Sequence, residues 1–201
     1  MHIKAIAAAL LSVGALFCAG STQAELIVNG GFEAPVVTGS GGFDYRTGTQ
    51  LTGWVISSAR GEPQFNTSYQ PVAGGLQALQ LESISPVTQT FGTVASQQYL
   101  LSFALSSYNS TALLDDAPMQ VIVGGVTANF LGTDAGYLTF IVPFTATGAS
   151  TTLSFRNTGT FAIDFPQIDN VSVLAVPEPD SLALLGLGLA AFGIARRRKK
   201  A

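Results

Sequence analysis

Ten carboxylates stand between residues 25 and 176, and no histidine, cysteine or lysine stands among them. They are Glu25, Glu33, Asp44, Glu62, Glu82, Asp115, Asp116, Asp134, Asp164 and Asp169, faced only by Arg46, Arg60 and Arg156. His2 and Cys18 lie near the N-terminus, outside this stretch. A histidine-based triad, a thiol nucleophile and a zinc site built on His or Cys therefore have no residues to use. A disulfide framework is equally excluded. What stays open is carboxylate chemistry, oxygen-ligand metals such as calcium, and binding through aromatic and polar side chains. Three positive charges against ten negative give this stretch −7, where the whole chain carries −3. Such a surface repels phosphates, so no nucleic-acid partner is expected.

Two carboxylates at a suitable separation are enough for glycoside hydrolysis. Here the acids are scattered among turn-like segments, and no cluster of acids and aromatics marks a cleft. No catalytic residue is assigned, and the chain is read as no enzyme. The aromatics are better placed for binding. Phe43, Tyr45, Tyr69 and Tyr108 fall in Gly-, Asn- and Ser-rich stretches read as loops, with Asn66 and Asn109 close by. An aromatic face packs on the apolar face of a sugar ring, and an amide can bond its hydroxyls. Trp54 follows Gly53 in the first third of the domain and is expected to fill the core.

The elements that must position these residues are strands. Tyr99, Leu101, Phe103 and Leu105 alternate with Leu100, Ser102, Ala104 and Ser106, the period-two pattern of a half-buried strand. Leu79 and Leu81 repeat it, as do Leu153 and Phe155 within 151–157. Residues 120–123, Gly124-Gly125 and 126–130 read as a hairpin with a two-residue glycine turn. Residues 137–142 and 168–174 supply two more strands. Many short strands with frequent turn signals favour a sandwich or jelly roll.

The two ends are of a different kind. Lys4, the apolar run 5–17 and Ser21-Thr22-Gln23-Ala24 form a secretory signal peptide, with cleavage expected after Ala24. At the other end, Pro177-Glu178-Pro179 precedes an uncharged run, 181–195, and a basic cluster that begins Arg196-Arg197-Arg198. Fifteen helical residues reach ~22 Å against a hydrocarbon core of ~30 Å, which suits transient residence in a membrane with the basic end in the cytoplasm. The organisation is thus a signal peptide at 1–24, one domain at 25–176 and a C-terminal signal at 177–201.

The Pro-Glu-Pro turn, Leu/Gly/Ala-rich helix and terminal Arg cluster resemble the PEP-CTERM sorting signal of Gram-negative bacteria. That resemblance implies an exosortase as processing partner, with a cut near Pro177, Glu178 and Pro179 and with Arg196, Arg197 and Arg198 as a retention element. It also implies export across the inner membrane, with the cell surface or extracellular matrix as the destination.

Five segments of the domain together resemble a galactose-binding-like jelly roll, the fold of many carbohydrate-binding modules. They are residues 26–33, Gly53-Trp54, 75–81, Gln89-Thr90-Phe91 and 168–173. The resemblance implies a structural calcium where the opening and closing segments meet, with Glu33 and Asp169 as carboxylate ligands. The expected fold is therefore an all-β jelly-roll sandwich flanked by an N-terminal signal helix and a C-terminal hydrophobic helix. The expected function is a secreted, non-catalytic surface or matrix protein associated with exopolysaccharide or biofilm. A carbohydrate-binding module recognising a specific glycan is the alternative, and a glycoside hydrolase is a distant third.

Overall fold

Alternation is the strongest instruction in this chain, and it is obeyed. The computed structural model describes residues 23–109, 116–159 and 164–177, and among them it has eleven strands and no helix. They are β1 (Phe43–Arg46), β2 (Val55–Ile56), β3 (Glu62–Asn66), β4 (Gln77–Gln80), β5 (Val87–Gly92), β6 (Gln98–Asn109), β7 (Asp116–Val123), β8 (Val126–Thr133), β9 (Leu138–Thr145), β10 (Ser150–Asn157) and β11 (Asp164–Ala175). Six form one antiparallel sheet in the order β1-β3-β4-β11-β6-β9, and five form a second in the order β2-β5-β10-β7-β8. The result is the jelly-roll sandwich expected from sequence.

The core lies between the sheets. Leu79, Ile168 and Leu105 align across β4, β11 and β6, and Val87, Phe155 and Val121 align across β5, β10 and β7. All six are buried, as the inward-facing rows of a sandwich must be. Trp54 packs between Phe32 and Phe155 at centroid distances of 5.3 and 6.1 Å. Its indole N–H donates to the Asn29 carbonyl at 3.1 Å, so its single polar atom is satisfied inside the core, its expected place. Gly124 and Gly125 take φ of 55° and 81°, the positive values that a two-residue hairpin turn between right-twisted strands requires.

The opening segment is not a regular strand, yet it joins the closing one. Leu26 N–H donates to Val173 O at 3.2 Å, and Val171 N–H donates to Gly30 O at 2.9 Å, across the register break in β11 between Asp169 and Ser172. Two buried glutamines then fasten residues 32–37. Gln64 Nε2 donates to the carbonyls of Phe32 and Pro35 at 2.6 Å each. Gln77 Nε2 reaches the same two carbonyls at 3.0 and 3.1 Å, while its Oε1 accepts Val37 N–H. Irregular backbone can be buried here because side-chain amides satisfy it.

The sequence pattern predicts no strand at β1, β2 or β3. These are short, and β3 reads EPQFN, with Glu, Pro and Gln where strand formers would be expected. Pairing with β1 and β4 overrides that weak propensity. The expected terminal helices lie outside the described residues, as do Glu178, Pro179, Arg196, Arg197 and Arg198. Among the described residues no helix is long and apolar enough to cross a membrane.

Candidate binding surface

Register decides which side chains share the outer face of the six-stranded sheet. Phe43 lies opposite Phe65, and Phe65 opposite Ala78, on the side away from Leu79. Across the sheet, Tyr108 lies opposite Phe165 and Ser106 opposite Gln167, again on the side away from Ile168 and Leu105. The turn after β3 brings Tyr69 over this face. Asn66 shapes that turn: its carbonyl accepts Tyr69 N–H and its Oδ1 accepts Ser68 N–H, both at 2.9 Å.

The four candidate aromatics form one continuous run. Ring centroids stand 5.9 Å apart for Tyr45 and Phe43, 5.0 Å for Phe43 and Tyr69, and 5.7 Å for Tyr69 and Tyr108. The last pair is stacked at 22°, and Phe65 lies against Tyr69 at 6.0 Å. The expectation that all four occupy loops needs correcting. Phe43 and Tyr45 are on β1 and Tyr108 is near the end of β6, so only Tyr69 lies in a turn. Strands hold these rings more firmly than loops would, because ladder hydrogen bonds set their spacing. Asn66 is spent on its turn, and the Asn109 side chain lies outside the described residues.

A polar ladder runs beside the rings. Tyr45 OH donates to Glu82 Oε2 at 2.8 Å, Gln80 Nε2 to Glu82 Oε1 at 2.9 Å, and Gln167 Nε2 to Gln80 Oε1 at 3.1 Å. The two glutamines are buried, while Tyr45 is 48% exposed, so the solvent-facing end of the ladder is Tyr45 with Glu82. Burial and then the bond to Glu82 push the Tyr45 phenol up to about 12. Burial and then the bond to Tyr108 raise Tyr69 as well. Both hydroxyls therefore stay protonated at neutral pH; Tyr45 gives its proton to Glu82 and keeps lone pairs that can accept from a ligand hydroxyl.

Glu62 was not singled out from sequence, although its alternation with Gln64 along EPQFN places both on one face. It is fully buried, and its Oε2 accepts Glu82 N–H at 2.5 Å and Ser83 N–H at 3.3 Å. Its Oε1 is buried without a partner. Burial pushes this carboxyl up to about 7. Arg46 stands opposite it in register but gives its guanidinium to Gln64 at 2.7 Å and Asp44 at 3.1 Å. Glu62 thus anchors the segment that carries Glu82 and is sealed from any ligand.

Glu33 and Asp169 converge on a single loop. Glu33 Oε1 accepts the N–H groups of Leu76 and Gln77 at 2.7 and 3.0 Å. Asp169 Oδ2 accepts those of Ala73 and Gly74 at 2.9 Å each, and its Oδ1 takes Asn170 N–H at 2.7 Å. A Cβ at Gly75 would run into the Glu33 carboxylate, so glycine is required there. Asp169 is fully buried and is pushed up to about 6 by burial, with Glu33 adding to the rise and the backbone N–H bonds from Gly74, Asn170 and Ala73 opposing it. Carboxylate oxygens are hard donors of the kind calcium takes, but five backbone N–H groups already bond these two carboxylates. Two carboxylates cannot fill a shell of roughly six to eight oxygens, so carbonyls would have to complete it.

The two-sheet sandwich is a fold shared with carbohydrate-binding modules. A family 61 carbohydrate-binding module, solved in complex with β-1,4-galactotriose, shares the fold at TM-score 0.55 and 14% identity, over 76% of this chain and 99% of that one. An arabinose-bound family 51 α-L-arabinofuranosidase aligns at TM-score 0.52 and 18% identity, over 76% of this chain but only 26% of the enzyme. The CBM22-1 xylan-binding domain of Paenibacillus barcinonensis Xyn10C aligns at TM-score 0.48 and 16% identity, over 67% and 92% of the two chains. No curated protein matches the chain in sequence. Residues 25–174 match the family described as Protein of unknown function (DUF642), and the chain belongs to that family. Residues 175–199 match the PEP-CTERM protein-sorting motif, which marks an exported protein for exosortase-dependent sorting.

Proposed function

We propose that this chain is a non-catalytic protein of the cell surface or extracellular matrix that holds polysaccharide on its outer aromatic run. One observation carries the reading. Phe43, Tyr45, Tyr69 and Tyr108 come from separate parts of the sequence and meet in a continuous row beside Glu82. Rings stack on the apolar faces of sugars, while protonated hydroxyls and a carboxylate bond the sugar hydroxyls. Support also comes from the shared fold of the module solved with β-1,4-galactotriose. A hydrolase is disfavoured because Glu62, the carboxyl raised toward neutrality, lies on the opposite face of β3 from Phe65 and is fully buried.

Affinity electrophoresis through gels containing different polysaccharides tests the reading. The wild type should be retarded in at least one gel, and Tyr45→Ala should weaken that retention about tenfold, equivalent to ~1.4 kcal/mol. Free migration in every gel would leave a passive coat protein with no glycan site.

Glu33 and Asp169 are the proposed calcium ligands, with calcium in a structural role. Chelation by EGTA is expected to lower the thermal midpoint of the purified protein, and restoring calcium to recover it. An unchanged midpoint removes calcium from the account and leaves the two acids as clamps on the loop 73–77.

A further inference from the structure

Glu82 sets the direction of every hydrogen bond in the polar ladder. An ionised carboxylate accepts and cannot donate, so Tyr45 OH and Gln80 Nε2 must both donate to it, at 2.8 and 2.9 Å. Gln80 thereby turns its Oε1 the other way, and Gln167 Nε2 donates to that oxygen at 3.1 Å. Every donor in the ladder points toward Glu82. What remains at the solvent-facing end is lone pairs, those of Tyr45 Oη and the unused ones of the Glu82 carboxylate. A group seated there has to donate. A sugar hydroxyl can do so once, an ammonium group three times, and the carboxylate of an acidic sugar not at all.

Charge separates the hydroxyl from the ammonium group. Among the described residues the ion pair is Arg46 with Asp44, and Glu82 takes no part in it. Arg46 alternates with Tyr45 along β1 and so leaves from the opposite face, where Gln64 and Asp44 hold it. Arg60 is exposed in the turn before β3 and its charge reaches Tyr45, but Glu82 acts on that phenol more strongly. Glu82 acts on Tyr69 as well, so the carboxylate lies within reach of two rings of the row. A half-buried carboxylate with neutral donors and no counter-ion has lost hydration without gaining a cation. The ring faces beside it attract positive charge too: Phe43 stands 5.9 Å from Tyr45 and 5.0 Å from Tyr69. The domain's −7 favours the approach of a cationic ligand and opposes that of an anionic one.

We propose that Tyr45 Oη, the Glu82 carboxylate and the ring faces around them form a subsite for the ammonium group of an amino sugar, so that the preferred glycan is a polymer with free, non-acetylated amines. The inference deepens the glycan reading above and rests on it. N-acetylation removes the charge and leaves a single N–H to donate, while an acidic sugar brings a like charge and no donor to the same atoms.

The test uses the full chain in neutral detergent and two probes, the β-1,4-linked tetramers of glucosamine and of N-acetylglucosamine. Binding is measured by calorimetry at pH 6 and at about 0.15 M ionic strength, where exposed charges beyond ~8 Å are screened. The glucosamine tetramer should bind about tenfold more tightly than its acetylated counterpart. Glu82→Gln should erase that difference, while Asp134→Asn, which removes an equal charge at an exposed site on another part of the surface, should keep it. Thermal melts confirm that both variants are folded. Equal binding of the two tetramers, or tighter binding of the acetylated one, would overturn the ammonium subsite and leave the glycan reading standing. A preference that survives Glu82→Gln, or that falls as far in Asp134→Asn, would overturn it too, because the whole acidic surface would then be the attractor. If neither tetramer binds and no polysaccharide gel retards the protein, the subsite and the glycan reading fall together.

Discussion

Glu62→Gln is expected to raise the thermal midpoint at pH 8 and to change it little at pH 5. The folded-state carboxyl stands at about 7, above its ordinary 4.5, because burial penalises the charged form. A group raised on folding favours the native state below its unfolded value, and that stability is lost as pH rises through the folded value. As pH rises from about 4.5 through 7 the protein therefore forfeits stability on the order of 3 kcal/mol, and the loss is complete once the folded-state carboxyl is fully ionised above 7. Glutamine removes the charge and keeps an oxygen for Glu82 N–H and Ser83 N–H. Asp169, pushed up to about 6, acts in the same direction when no calcium is present. The calcium-free wild type should thus grow more stable as pH falls from 8 toward 5, opposite to ordinary acid denaturation. Thermal melts of both proteins at each pH decide the matter, and parallel profiles would remove Glu62 as the source.

Tyr69→Ala should abolish retention by polysaccharide and lower stability by about 2 kcal/mol, less than a fully buried aromatic costs because the residue is only partly buried. Tyr69 is the hub of the row. Its ring touches Phe43, Phe65 and Tyr108, and its removal uncovers Phe65, which is otherwise fully buried. Tyr69→Phe is the control: it keeps the stack, gives up the hydroxyl bond to Tyr108, and should cost about 1 kcal/mol. Retention of the alanine variant at wild-type strength, with the fold intact by circular dichroism, would place the glycan site elsewhere.

How much was legible depends on how local each signal is. The strands at β6, β10 and β11 and the glycine hairpin could be read directly, because alternation and turn chemistry act over a few residues. So could the burial of Trp54. β1 and β3 were hidden, since Pro63, Gln64 and Glu62 carry no strand propensity and adopt β structure only through their neighbours. Glu62 was hidden for a related reason. An acid in a polar stretch looks solvated until a sheet closes over it.

The sequence alone settled matters of composition and adjacency: no histidine or thiol chemistry, a sandwich of alternating strands, and an exit signal for sorting. These follow from which residues are present and what stands beside them. Only the tertiary structure decided that Phe43, Tyr45, Tyr69 and Tyr108 form one row and that Glu33 and Asp169 grip one loop. Each of these joins residues tens of positions apart, and strand register, which no short stretch of chain encodes by itself, brings them together.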